Sequence, residues 1–105
     1  MLDPNKYFPI EPHALTWRLV EVACDLTECY KQLHDATLEE RRCRQKVFVD
    51  ATESSVAARE RSADIASFAQ WAAVQDIKTD IQDLTEERDL IRFLLELNLD
   101  AKPAR

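Results

Sequence analysis

The chain is 105 residues long, is 32% charged and 46% hydrophobic, and contains no glycine, where average usage near 7% would supply about seven. Hairpin turns, bulges and phosphate-cradling loops rely on glycine for positive φ, so this composition excludes most β architectures together with Rossmann-type and P-loop nucleotide sites. A formal net charge of −6 opposes non-specific attraction to nucleic acid or anionic lipid, and the length fits one all-α domain of a few long helices joined by short turns.

Residues 1–11 read as an extended apolar N-terminal arm. Pro4, Pro9 and Pro12 bias the residues before them away from the helical region. Tyr7, Phe8 and Ile10 are large and apolar, which a purely solvated tail would rarely carry, so the arm is expected to dock on the body or on a neighbouring subunit. The segment lacks the basic region, apolar stretch and cleavage site of a signal peptide, and no window approaches 18 apolar residues. With an odd number of cysteines, Cys24, Cys29 and Cys43, the expectation is a reducing, cytoplasmic setting without membrane contact.

Pro12 suits a first helical position with Glu11 just ahead. Leu15, Leu19, Val22, Leu26, Cys29 or Tyr30, and Leu33 then recur at steps of three and four, which marks one face of a long amphipathic helix over about residues 13–51. Thr37-Leu38-Glu39-Glu40 matches a capping box and offers an alternative break near Asp35. Continuity is favoured because neither glycine nor proline interrupts the stretch. Thr52-Glu53-Ser54-Ser55 is the cluster of capping residues at which the chain turns. A second helix, about residues 55–98, carries a stripe through Val56, Ala63, Ala66, Ala73, Ile77, Leu84, Ile91 and Leu94. Residues 100–105 read as a disordered tail.

Helices of this length span about 58 and 64 Å at 1.5 Å per residue, and a connection this short folds them back antiparallel. The expected fold is all-α, a long two-helix hairpin over residues 12–99. Trp17, Val20, Ile65, Phe68, Trp71, Val74 and Phe93 are apolar residues beyond what one stripe per helix can bury. Self-association as a coiled-coil homodimer or tetramer, closing a four-helix bundle, would cover them. The candidate subunit interface is Tyr7, Phe8 and Ile10 of the arm with Leu90, Phe93, Leu94 and Leu97, where apolar residues surround the helix.

Charge is unevenly spread: residues 41–61 carry six basic and three acidic side chains inside an acidic molecule. Arg41, Arg42, Arg44 and Lys46 lie near the turn, and antiparallel pairing brings Arg59 and Arg61 to the same region. Such a tip suits an anionic partner, phosphates included, against the plainer reading of a solvated end paired locally with Glu39, Glu40, Asp50, Glu53 and Glu60.

Cys24 and Cys29 stand about 140° apart around a helix and cannot share one ion. His13 and His34 belong to no ligand pair, so neither metal nor cofactor is expected and the thiols read as buried and inert. Arg88 and Arg92 share a face, a faint likeness to small all-α mutases of chorismate type. Exposed pairing with Glu87, Asp89 and Glu96 is the stronger reading of them.

On residues 26–33 with Tyr30, the Ser55-Val56-Ala57-Ala58-Arg59-Glu60 start of the second helix, and residues 84–95 with Arg88-Asp89-Leu90-Ile91-Arg92, the layout resembles a loose group of small helical-hairpin proteins of actinobacterial phages. The resemblance covers residues 15–97 and implies a non-enzymatic accessory role in the cytoplasm of an infected host. The expected function is therefore protein–protein interaction by a self-associating helical hairpin. The alternative is a nucleic-acid-associated factor that binds through its basic tip.

Overall fold

A computed structural model describes residues 4–101, and every regular element in that span is helical, as the composition requires. A short 3₁₀ turn at Pro4–Tyr7 precedes α1 (Pro12–Asp50), α2 (Val56–Ala66) and α3 (Phe68–Ala101). Pro12 opens α1 at the position where its missing N–H costs nothing, and the Leu15 N–H bonds the Glu11 carbonyl at 3.0 Å. The helix then runs through Thr37 without a break. Ser55 caps α2 from an extended backbone (φ −96°, ψ 144°), its hydroxyl oxygen accepting the Ala58 N–H at 3.1 Å. Arg59 Nε donates to the Glu53 carbonyl at 2.7 Å and Ser62 Oγ to the Glu53 carboxylate at 2.8 Å, which ties the connection to α2.

Two sequence expectations are corrected here. The arm is not extended throughout: proline fixes φ near the 3₁₀ value, so Pro4–Tyr7 forms a turn that the Phe8 N–H closes on the Asn5 carbonyl at 3.2 Å. The single helix over 55–98 is two helices, α2 and α3, which meet at Ser67 (φ −96°, ψ 8°). No glycine or proline causes this. The buried Ser67 hydroxyl donates to the Ala63 carbonyl at 2.7 Å, which the Ser67 N–H also approaches at 3.0 Å. Of the tail assigned to residues 100–105, α3 reaches Ala101 and the remainder lies outside the described residues.

The chain divides into two compact units. Unit 1 combines the described residues up to Cys29 with those from Asp80 onward. Its core is Leu15, Val22 and Leu26 of α1 against Ile91 and Leu94 of α3, with Tyr7, Ile10, Leu19, Leu84 and Leu90 packed on it. The helices run antiparallel there, because Arg18 meets Glu87 while Asp80 acts on Cys29. Each of the five core side chains contributes about 1.5–3 kcal/mol by its burial.

Unit 2 is Tyr30–Thr79, in which the end of α1 lies beside α2 and the start of α3. Among its described residues the buried side chains are Ala63, Ser67 and Val74. Alanine lets the backbones come close, and the Cys43 thiol reaches the Ala66 carbonyl at 3.8 Å. Val74, counted above as surplus, is buried, because it lies on one helical row with Ala63 and Ser67 at steps of four and seven, whereas Ala66 and Ala73 are exposed. Val56 is likewise exposed rather than part of the stripe.

Replacing the fully buried Ile91 by alanine is expected to cost about 2–5 kcal/mol, read as a lower urea midpoint with unchanged m-value. Ser55→Ala, which removes only the cap of α2, is expected to cost about 1 kcal/mol in the same assay.

Candidate functional site

One charged side chain sits in the apolar stripe of α3. Glu87 falls between Leu84 and Ile91 at helical spacing and is buried, yet it is fully partnered. Arg18 grips it with a two-pronged contact, Nη2 to Oε1 at 2.6 Å and Nε to Oε2 at 2.8 Å, and the Tyr7 hydroxyl donates to Oε2 at 2.8 Å. Arg18 also reaches Glu21 at 3.1 Å. The Arg18 hydrogen bonds hold the Glu87 carboxyl below the usual carboxylate range, against the opposing effect of burial and with help from Tyr7. Burial first, and then the bond to Glu87, push the Tyr7 phenol up to about 12. Glu87, expected from the sequence to serve Arg88 and Arg92, is thus committed to Arg18, and Arg88 contacts Asp89 at 3.3 Å instead. The sequence signal was a carboxylate on a buried row, which has to find a cation.

The seven residues expected at a subunit interface all fall in unit 1, with different fates. Leu94 is spent in the unit's own core, because it lies on the same row as Ile91. Tyr7, Ile10 and Leu90 are half-buried against that core. Phe8, Phe93 and Leu97 remain exposed, and so do Trp17, Val20 and Leu99 of the same unit.

The six cations expected at the tip fall in unit 2. Arg44 pairs with Asp64 and Arg59 is held by the Glu53 carbonyl. Arg41, Arg42, Lys46 and Arg61 are exposed and form no ion pair with any described residue. In the same unit Lys46 lines a hollow with Asp50 and Glu53, and a separate groove of about 520 Å³ is lined by Arg44, Gln45, Phe48, Val49, Glu60 and Ala63. A second hollow of about 240 Å³ adjoins it at Arg44 and is lined by Asp64, Ser67, Phe68 and Trp71. Phe68 and Trp71 stack at 5.7 Å between ring centroids. No aromatic residue neighbours the arginines in sequence, so this meeting is a product of the fold.

The thiols depart from expectation at one position. Cys24 is exposed, because it lies on the outer face of α1, whereas Cys29 and Cys43 are half-buried. Burial, and after it the carboxylate of Asp80, push the Cys29 thiol up, which keeps it protonated. Among the described residues no group of three metal-ligating side chains converges, and no helix is long and apolar enough to cross a membrane. No protein-family model, curated protein or solved structure matches the chain.

Because the folded pKa of Glu87 is lowered, its contribution to stability is present above the unfolded value near 4.3 and is lost as pH falls through the lower folded value. Glu87→Gln is therefore expected to shrink the drop in urea midpoint between pH 6 and pH 3. Arg18→Ala, which leaves the buried carboxylate with Tyr7 as its remaining donor, is expected to cost about 2–3 kcal/mol at pH 7.

Proposed function

We propose that the chain is a non-enzymatic interaction protein that folds as an antiparallel helical hairpin and self-associates through the apolar end of unit 1, two copies closing a four-helix bundle. The observation that supports this reading is the amount of large apolar surface left uncovered beside a small core. Trp17 is 60% and Phe93 55% exposed, and Phe8, Val20, Leu97 and Leu99 add to the same unit's surface. Apolar side chains in this number on one small unit mark an interaction face, and a second copy brings the matching face. Phe8, Phe93 and Leu97 form the contact, and the half-buried Tyr7, Ile10 and Leu90 support it from behind.

The mutual pairing of the most perturbed polar groups of unit 1 supports a binding role. Tyr7, Arg18 and Glu87 have the most perturbed environments in unit 1, and they satisfy one another through three hydrogen bonds. An accessory role in the cytoplasm of a phage-infected bacterium accords with the sequence resemblance and with this mode of action.

Light scattering tests the reading. The whole chain is expected at two or four times 12.2 kDa. A chain lacking residues 1–10, and separately the pair Phe93→Glu with Leu97→Glu, should fall toward the monomer mass while keeping a helical circular dichroism spectrum. A monomeric whole chain at tens of micromolar would refute self-association.

A further inference from the structure

Tyr7 and Ile10 tie the N-terminal segment to unit 1 by packing on its core, whereas Phe8, which follows Tyr7 directly, is 55% exposed. The Phe8 N–H closes on the Asn5 carbonyl at 3.2 Å, so Phe8 is fixed to the turn at Pro4–Tyr7. The turn in its turn is fixed to the helices through the Tyr7 hydroxyl. Pro9 and Pro12 restrict the backbone on either side of Ile10 and Glu11, so the segment moves as a stiff piece rather than one residue at a time. The acceptor it meets is preset by α1 and α3. Glu87 is buried, and Arg18 holds both of its oxygens, Nη2 to Oε1 at 2.6 Å and Nε to Oε2 at 2.8 Å. The Tyr7 hydroxyl adds a further bond at 2.8 Å. Without that hydroxyl the Arg18 fork still holds α3 to α1, so it is the N-terminal segment that depends on the bond.

We propose that Tyr7 is a positioning residue for self-association: its bond to Glu87 latches the N-terminal segment onto unit 1 and so holds Phe8 outward in the association face. The proposal rests on the reading that unit 1 self-associates through Phe8, Phe93 and Leu97. It adds a control to that face, because the latch and the association become coupled equilibria. Phe8 meets the second copy only from a closed segment, so the apparent affinity falls with the closed fraction. In a symmetric dimer each copy contributes its own latch, and the factor enters twice. A hydrogen bond to a charged group is strong enough to set this balance, since its loss shifts an equilibrium by about tenfold or more.

The Lys6–Tyr7 peptide bond lies inside the turn, so its cleavage by trypsin requires local opening and reports the latch. On the whole chain, diluted below its dimer dissociation constant, Tyr7→Phe is expected to speed cleavage after Lys6 about tenfold by mass spectrometry. Its circular dichroism spectrum should match the parent's. Analytical ultracentrifugation then gives dimer dissociation constants for the parent, Tyr7→Phe, Phe8→Ala and the double variant. Tyr7→Phe is expected to raise the constant severalfold in the parent but by less than about twofold beside Phe8→Ala, because the latch then has nothing left to position. A merely structural tyrosine would weaken the dimer equally in both backgrounds. That equal loss, an unchanged dissociation constant, or cleavage indifferent to Tyr7→Phe overturns the proposal. A monomeric parent overturns the self-association reading and this proposal together, whereas a dimeric parent with any of those results overturns this proposal alone.

Discussion

Two helices packed side by side can each bury one row of side chains, and in unit 1 that row is Leu15, Val22 and Leu26 against Ile91 and Leu94. Side chains flanking that row, such as Leu19, Leu84 and Leu90, are covered only in part, and those on the opposite faces lie outside the contact. This is why Phe93 is exposed while Leu94, its neighbour in sequence, is buried. The 100° step between successive helical positions separates them, and the excess that results is the physical motive for association.

The same narrow contact explains the place of Glu87. A carboxylate on a buried row loses hydration, and a fork of two hydrogen bonds from Arg18 with a third from Tyr7 compensates for it. Apolar rows alone would tolerate small slides of one helix along the other. A bidentate pair opposes them, because a slide of one residue, about 1.5 Å, disturbs the two-pronged geometry between Arg18 and Glu87. Tyr7 extends the clamp to the N-terminal segment, so the 3₁₀ turn at Pro4–Tyr7 is held to the helices by a polar bond as well as by the packing of Tyr7 and Ile10.

Unit 2 is built on a different balance. The buried position of α2 is Ala63, and Ser67, also small and buried, stands between α2 and α3. A close approach of backbones buries little hydrocarbon, so Phe48, Val49, Phe68 and Trp71 are left to line hollows instead of filling a core. The charged residues that line these hollows are Arg44, Glu60 and Asp64, with Arg44 paired to Asp64.

Helix content, the start of α1 at Pro12 and the cap at Ser55 were legible in the sequence, because each depends on residues within one turn of one another: the absence of glycine, a proline at the first position, a serine before an alanine-rich run. The stripe of α1 was legible for the same reason. The break at Ser67 was not, since neither glycine nor proline marks it. Nor could periodicity say which of the apolar residues at the end of α3 would be spent inside, which cation would find Glu87 across 69 positions of chain, or that Arg44 would meet the Phe68–Trp71 stack. Local spacing by itself determined the elements and their faces; the tertiary structure decided the partners, because those contacts join residues whose proximity only the packing of one helix on another creates.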